Sequence, residues 1–194
     1  MRPGTLVIML KEPRPGQVKT RLGREIGMVP AAWWYRHHCA SLLRRLRDPR
    51  WRIVLAVSPD RTTGSRVWPA DLARQPQGPG DLGPRMLRGL QRPEGRAGKG
   101  PVCLIGSDIP AITRAHIARA FAALGDHDAV FGPTEDGGFW LVGARHPARL
   151  PRDTFKGARW SSEHALADGL APLAGLRVAL VDRLRDVDTA ADFK

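Results

Sequence analysis

A chain of 194 residues with 42% hydrophobic and 26% charged residues has the length and composition of one ordinary globular domain. No apolar run approaches the roughly 18 residues of a membrane span, and the apolar N-terminal stretch is too short for a signal sequence, so we expect a cytoplasmic protein without a membrane partner. The net charge of +12 comes mainly from arginines in nearly every segment, which favours a solvated basic surface over a nucleic-acid face and is compatible with small phosphorylated substrates.

The chain alternates predicted strands with predicted helices. Short apolar runs predict strands over residues 5–10, 52–57, 67–68, 102–105, 129–131, 139–142 and 177–181. Helical spacing and capping residues predict helices over 18–26, 30–47, 81–91, from Thr113 to Leu124, and from Ser161 or Ser162 to about Gly169. This alternation predicts a layered α/β sheet with ligands at the carboxyl ends of its strands. Because no repeat or linker interrupts the pattern, we expect a single domain over residues 1–194.

A loop rich in proline and glycine follows the first strand. Its sequence, KEPRPGQVKTRLG, places Lys19 and Arg21 in the first turn of the next helix. Cations there oppose the helix dipole and need a compensating anion, so the loop is either a phosphate site or a solvated basic turn. A phosphate site would include Lys11 and Gly16 as well. The spacing matches neither a Walker A loop nor a dinucleotide fingerprint.

Aspartates occur at two places of interest. One follows the most apolar predicted strand, and two others lie close to the C-terminal end of the sequence. Asp108, in GSDIP, could hold Mg²⁺ or Mn²⁺ against substrate phosphates, or could simply cap a turn. Asp186 and Asp188, in RDVDTAAD, would point the same way if extended, whereas Asp188 or Thr189 could equally cap a short helix. Magnesium sites commonly use one or two carboxylates, so Asp108 with Asp188, or with Asp186, would be sufficient.

Two further stretches combine glycines with a carboxylate. In GPTEDGGFWLVG, Glu135 and Asp136 precede a double glycine and a buried strand. Gly137 and Gly138 would let a substrate approach the backbone where side chains would obstruct it, and we favour Asp136 over Glu135 as the group that faces the opening.

The stretch QGPGDLGPRM contains Gln77 and Asp81. Asp81 has the pattern of a helix start. Arg85, one turn later, could contact a phosphate or pair with Asp81. The pattern therefore favours a structural role and leaves a phosphate contact open.

Together these motifs resemble the bacterial DUF2064 family, also known as "transferase 1, rSAM/selenodomain-associated". The five collinear motifs are KEPRPGQVKTRLG, QGPGDLGPRM, GSDIP, EDGGFWLVG and DVDTAADF. The family belongs among GT-A-like nucleotide-diphospho-sugar transferases and is similar to phospholactate guanylyltransferases. The resemblance implies a three-layer α/β/α GT-A-like (Rossmann-like) fold with a mostly parallel sheet.

The resemblance also implies roles for individual residues. The nucleotide would lie over the loop after the first strand, with Lys19 and Arg21 on its phosphates, Lys11, Gly16, Gln77 and Asp81 around it, and Asp108 as metal ligand. Asp188 is similar to the late metal-binding aspartate of related sugar-nucleotide synthetases. The family usually has Tyr where this chain has Phe139, so we do not expect a phenolic hydroxyl to be essential there.

The leading hypothesis is a transferase dependent on Mg²⁺ or Mn²⁺ that moves a glycosyl group from a nucleotide sugar to a small acceptor. Asp136 would be the general base or a hydrogen-bond anchor for that acceptor. The alternative is guanylyltransferase-like nucleotidyl transfer from an NTP, which forms a nucleotide diphospho-conjugate. A second alternative is a non-catalytic nucleotide- or nucleic-acid-binding protein, against which Asp108, Asp136 and Asp188 count, because a polyanion binder gains nothing from buried carboxylates.

Overall fold

The computed structural model describes residues 3–95 and 100–185, and the strands in this part of the chain form one sheet. Its seven strands are β1 (Gly4–Lys11), β2 (Trp51–Ser58), β3 (Ala73–Pro76), β4 (Val102–Ile105), β5 (Ala129–Pro133), β6 (Phe139–Ala144) and β7 (Val178–Leu180). Its α-helices are α1 (Thr20–Ile26), α2 (Met28–Arg45), α3 (Leu82–Gln91), α4 (Arg114–Ala123) and α5 (Ala165–Leu170). None of these helices combines the length and apolarity needed to cross a bilayer.

The strands are arranged in the order β3-β2-β1-β4-β6-β5-β7. Strand β6 runs antiparallel to β4 and β5, and the other neighbouring pairs are parallel. The prediction of a mostly parallel sheet is therefore confirmed. Because β6 is reversed, its first residues lie at the same edge of the sheet as the last residues of β1 and β4.

Both faces of the sheet are covered. Along β1, Leu6, Ile8 and Leu10 point into a hydrophobic cluster shared with α2 and α4. Val7, between them, points into a second cluster shared with α3. Alternate side chains of a strand face opposite sides of a sheet, so a strand buried throughout requires a helical layer on each side. This arrangement confirms the predicted three-layer α/β/α fold.

The predicted strand at residues 67–68 is wrong. Val67 and Trp68 lie in a turn, and the edge strand is β3, which pairs with β2. Trp68 is only 4% exposed and packs into the cluster beneath α2, so its apolar character anchors a loop. The sequence of β3, ARQP, has no apolar alternation and ends in a proline, which a sheet tolerates at its edge.

Two predicted helix caps have different outcomes. The Thr113 cap is confirmed, because its hydroxyl accepts a hydrogen bond from the His116 N–H at 3.4 Å and its own N–H donates to His116 Nδ1 at 3.2 Å. The serine cap of α5 is wrong. The N-cap residue is His164, and the Ser162 hydroxyl instead accepts a hydrogen bond from the His164 N–H at 3.3 Å, in the turn that precedes the helix.

Candidate active site

A cleft of about 570 Å³ opens at the edge of the sheet where β1 and β4 end and β6 begins. A cleft of this volume accommodates a small-molecule ligand, and sheets of this kind bind ligands at the carboxyl ends of their parallel strands. The polar residues that line it are Lys11, Gln17, Lys19, Thr20, Arg21, Tyr35, Gln77, Ser107, Asp108, Thr134, Asp136, Ser161 and Ser162. The cleft is therefore the candidate active site.

Lys19 connects the loop after β1 to the loop after β4. Its Nζ lies 2.9 Å from Asp108 Oδ1 and 6.0 Å from the centre of the Trp34 ring, and its side chain is only 6% exposed. Its backbone is in the left-handed region, with φ 46° and ψ 47°, immediately before α1. A non-glycine residue there costs on the order of 1–3 kcal/mol, which the surrounding contacts must offset. Asp108 thus supplies a compensating anion beside Lys19, the cation that immediately precedes α1.

Asp108 follows a buried serine that is hydrogen-bonded to Tyr35. Ser107 is 3% exposed, and its Oγ lies 2.8 Å from the Tyr35 hydroxyl. The same hydroxyl accepts a hydrogen bond from the Lys11 N–H at 3.1 Å. Burial raises the pKa of Tyr35 well above its ordinary value, so the hydroxyl stays protonated. Tyr35 therefore links the ends of β1 and β4 at the floor of the cleft.

The His38 side chain holds the same loop by a hydrogen bond to the loop's backbone. Its Nε2 lies 2.8 Å from the Ser107 carbonyl oxygen, and because a carbonyl can only accept, Nε2 must carry the proton and donate. The imidazole stacks on Trp34, with ring centroids 5.1 Å apart and an interplanar angle of 6°. Burial lowers the pKa of His38, which favours the neutral ring protonated at Nε2.

Asp136 lies in the turn between β5 and β6 and lines the cleft. Its Oδ1 accepts hydrogen bonds from the Thr134 hydroxyl at 2.5 Å and from the Gly138 N–H at 3.1 Å. Oδ2 takes part in neither bond, and the residue as a whole is exposed. The turn therefore orients the carboxylate through one oxygen and leaves the second outside these two bonds.

The double glycine is required by local packing. Gly137 has φ +83°, and a Cβ on it would collide with the backbone of Glu163, whose Cα would lie 2.5 Å away. A Cβ on Gly138 would lie 2.9 Å from Thr134 Oγ1 and 3.2 Å from Asp136 Oδ1. Gly138 belongs to the lining of the cleft, whereas Gly137 does not. The lining of the cleft therefore includes Gly138, and Gly137 docks the turn against the segment before α5.

Aromatic rings form the wall next to this turn. The Phe139 ring meets Phe131 edge to face at 5.0 Å and stacks against Phe155 at 6.1 Å. Trp160 lies 6.1 Å from Phe139, and both of these rings line the cleft. The wall is therefore apolar at the position where the resembling family usually has a tyrosine.

The other predicted residues are divided between the cleft and its surroundings. Lys11, Arg21 and Gln77 line the cleft. The Gln77 amide nitrogen donates to the Leu10 carbonyl at 3.1 Å and to the Ala56 carbonyl at 3.0 Å, so this side chain bridges β1 and β2. Its position depends on two strands of the sheet.

Two predicted residues lie outside the lining of the cleft. Gly16 has φ +74°, and nothing lies within 4 Å of the position that a Cβ on it would take. Asp81 is the N-cap residue of α3, where its side chain makes no capping hydrogen bond. Asp188 and its alternative Asp186 fall outside the described residues. Of the predicted metal ligands, the structure therefore places Asp108.

Sequence reasoning missed the residues of α2 that support the cleft. Tyr35 is the single tyrosine of the chain and lies on the buried face of an amphipathic helix. A buried tyrosine hydroxyl needs a hydrogen-bond partner, and this was the available signal. Its partner Ser107 lies 72 residues away, which no local pattern indicates. Ser161, which lines the cleft with φ 56°, was predicted only as a possible helix cap.

The donor set fits a divalent metal in part. Within residues 3–95 and 100–185, no group of three or more His, Cys, Asp or Glu side chains could hold a metal ion. Asp108, with a side chain 54% exposed at the cleft, is the kind of oxygen ligand that Mg²⁺ or Mn²⁺ shares with substrate phosphates. Because its Oδ1 contacts the Lys19 ammonium, a metal ion there would have to share or displace that ion pair.

Comparison with known proteins gives a family match. A family model described as "Uncharacterized protein conserved in bacteria (DUF2064)" matches residues 42–162, which is more than half of the chain. A comparison with curated proteins finds no match. The assignment of this chain to a family therefore rests on this match and on similarity to solved structures.

The solved structures similar to this chain include the following three. A protein from Desulfovibrio desulfuricans G20, described as a candidate nucleotide-diphospho-sugar transferase, is 30% identical, with a TM-score of 0.85 over 97% of this chain and 84% of that chain. The 4-diphosphocytidyl-2C-methyl-D-erythritol synthase of Anaerococcus prevotii DSM 20548 is 10% identical, with a TM-score of 0.62 over 98% and 94%. The manganese complex of Rv0371C from Mycobacterium tuberculosis H37Rv is 16% identical, with a TM-score of 0.53 over 99% and 96%. The last two concern the fold alone.

Proposed function

The chain belongs to the DUF2064 family of bacterial proteins, and on that premise we propose that it is a metal-dependent transferase with a nucleotide substrate. In the leading form of the proposal, it moves a glycosyl group from a nucleotide sugar to a small acceptor. The observation that carries the proposal is the 2.9 Å contact between Lys19 Nζ and Asp108 Oδ1 in the cleft. A cation beside a carboxylate suits phosphate binding, because the cation contacts phosphate oxygens while the carboxylate holds the metal.

The nucleotide phosphates would lie on the side of the cleft formed by the loop after β1. Lys11, Lys19 and Arg21 all line this cleft, and arginine can bind a phosphate through two hydrogen bonds. Gln77 would contact the nucleotide from a position fixed by β1 and β2. Gly16 and Asp81 lie outside the lining, so in this proposal they shape the loop and the start of α3 without direct contact.

Asp136 would act on the acceptor. It takes the proton of the acceptor hydroxyl while the oxygen forms a bond to the anomeric carbon. The bond from that carbon to the diphosphate breaks, and the nucleoside diphosphate leaves with the electron pair, its charge stabilised by Lys19 and Arg21. Gly138 leaves room for the substrate at the backbone. When bound by Asp108, with Asp188 or Asp186 as a second ligand, Mg²⁺ or Mn²⁺ would neutralise phosphate charge.

A second candidate is nucleotidyl transfer from an NTP. It is favoured by the position of the Lys19 loop beside Asp108 and by the likeness in fold to the synthase of a diphosphocytidyl compound. The acceptor oxygen would attack the α-phosphorus, and pyrophosphate would leave with the electron pair of the broken bond. The two reactions are separated by their product, since one releases a nucleoside diphosphate and the other releases pyrophosphate.

The proposal is tested by thermal melting with NTPs and nucleotide sugars, each with and without Mn²⁺. We expect at least one nucleotide to raise the melting temperature only when the metal is present, because ligand binding to the native state stabilises it. The Asp108→Asn variant should lose this metal-dependent shift.

The matched control is Asp126→Asn, which alters an exposed aspartate outside the lining of the cleft and should keep the shift. If Asp108→Asn keeps every metal-dependent shift, the metal assignment is wrong. If no nucleotide shifts the melting temperature while RNA or DNA binds tightly and with steep salt dependence, the transferase proposal is wrong and the non-catalytic alternative is favoured.

The expected single domain and cytoplasmic location belong to the same proposal. One sheet contains every described strand from β1 to β7, which supports one domain over residues 1–194. Cys39 and Cys103 are buried free thiols, as is usual in a reducing compartment. The proposed partners are the nucleotide substrate and a small-molecule acceptor.

A further inference from the structure

A second pocket, of about 410 Å³, lies on a different face of α3 from the cleft. The helix presents Leu82 and Met86 to the cleft and Leu87 and Arg88 to this second pocket. The opposite wall comes from the segment 151–156. We call this site the basic pocket, and its defining residues are Leu87, Arg88, Arg92, Arg152, Thr154 and Lys156.

The basic pocket concentrates positive charge. Arg88, Arg92, Arg152 and Lys156 line it, and no Asp or Glu does. Arg92, Arg152 and Lys156 form no ion pair with any residue in the described part of the chain. The nearest carboxylate in sequence, Asp153, is not part of the lining. Like charges around one concavity repel each other, so a bound anion would stabilise the pocket.

This arrangement differs from that of the exposed arginines that pair with a carboxylate. Arg119 pairs with Asp182 at 2.9 Å, and Arg159 pairs with Asp168 at 2.8 Å. Other exposed arginines, such as Arg36 and Arg66, form no ion pair in the described part of the chain, but they lie outside both pockets. The four cations of the basic pocket are grouped around open space instead.

Hydrogen bonds hold the Arg88 side chain and order the backbone of the second wall. Arg88 Nη1 donates to the Gln77 carbonyl at 2.5 Å and Nη2 to the Pro79 carbonyl at 3.1 Å, which fixes the guanidinium and leaves further N–H groups for a ligand. Across the pocket, the Thr154 hydroxyl donates to the Pro151 carbonyl at 2.7 Å. The Lys156 N–H donates to the Asp153 carbonyl at 2.8 Å, so consecutive turns order the second wall.

The two walls are packed closely together. A Cβ on Gly83 of α3 would lie 2.8 Å from the carbonyl oxygen of Phe155, so the glycine allows the helix to approach the segment 151–156. Cations near the C-terminal end of a helix favour its dipole, which accounts for Arg88 and Arg92. It does not account for Arg152 and Lys156, which belong to the other wall.

We propose that the basic pocket binds a small phosphate-bearing anion with two or more negative charges. Four cations can neutralise such an anion, and guanidinium groups match the geometry of phosphate oxygens. The volume of about 410 Å³ is within the range of small-molecule sites and exceeds the need of a simple surface ion. The inference does not depend on the function proposed for the cleft.

The test is a titration of the protein with inorganic pyrophosphate, without divalent metal, followed by backbone amide NMR. We expect amide resonances of residues 87–92 and 152–156 to shift along saturable curves. The Arg152→Gln/Lys156→Gln double variant should weaken the apparent affinity at these resonances by roughly tenfold or more, because it removes two charge-assisted contacts. The Lys11→Gln/Arg21→Gln variant, which alters the cleft, should leave it within about twofold.

The control for net charge is Arg36→Gln/Arg66→Gln, which removes two exposed arginines outside both pockets. If this control weakens binding as much as Arg152→Gln/Lys156→Gln, or if the shifts do not saturate, the site does not exist. If citrate binds the pocket more tightly than pyrophosphate, the assignment to phosphate is wrong. The thermal shift of Asp108→Asn is unaffected by either result, so the two proposals fail separately.

Discussion

At the scale of single residues, the Tyr35 hydroxyl is the group on which the floor of the cleft depends. It joins the Lys11 N–H and Ser107 Oγ, which lie at the ends of different strands. Tyr35→Phe keeps the ring and leaves the Lys11 N–H and the buried Ser107 hydroxyl without this bond. We expect the free energy of unfolding in urea to fall by about 1–3 kcal/mol, the usual cost of a buried polar group left unsatisfied.

Ser107→Ala provides the matched control, because it removes the partner of the same bond. If Tyr35 and Ser107 stabilise the protein through each other, the double variant should cost less than the sum of the two single variants. Additive free energies would show that the 2.8 Å contact between the two hydroxyls contributes nothing to stability. A measurable coupling energy between the two substitutions would show that this one bond contributes to the link between β1 and β4.

At the scale of elements, the turn between β5 and β6 positions Asp136 only if it can dock before α5. Gly137 combines φ +83° with a Cβ direction blocked by the Glu163 backbone. We expect Gly137→Ala to lower the free energy of unfolding by about 2–5 kcal/mol, from about 1–2 for the backbone region and about 1–3 for the collision. Chemical denaturation measures the change.

Gly157→Ala separates the two causes. Gly157 has a similar φ of +73°, but nothing lies within 4 Å of its Cβ position. Its substitution should cost only the backbone share, about 1–2 kcal/mol. Equal costs at Gly137 and Gly157 would show that close packing on Glu163 does not hold the turn.

Local sequence patterns predicted the secondary-structure elements better than the tertiary contacts between them. Strand β4 was predicted with its observed limits, because four consecutive apolar residues are buried on both faces. The reversed direction of β6 has no such signal, since the side-chain period of a strand is the same in either direction. The contact of Lys19 with Asp108 depends on two loops brought together by the parallel pairing of β1 and β4, and only that pairing shows it.

At the scale of the whole molecule, the net charge of +12 is distributed in two ways. Several exposed arginines pair with carboxylates, as Arg47 does with Asp71, and such surface pairs contribute little to stability. The cleft and the basic pocket, on different faces of α3, each have several cations in their lining. The composition is compatible with small phosphorylated substrates, and the two concavities are where we propose that such anions bind.

One half-buried histidine, His38, contributes to the pH dependence of stability in this basic molecule. Burial lowers the pKa of His38, so near pH 6 the folded state binds fewer protons than the unfolded state. Stability should therefore fall as the pH decreases through the unfolded value of about 6.5, by at most about 1.4 kcal/mol per pH unit for one proton. Urea unfolding at pH 7.5, 6.5 and 5.5 measures this slope.

His38→Gln, which retains a donor for the Ser107 carbonyl, should flatten the slope, whereas the substitution of the exposed His37, His37→Gln, should not. An unchanged slope in His38→Gln would assign the pH dependence to other groups.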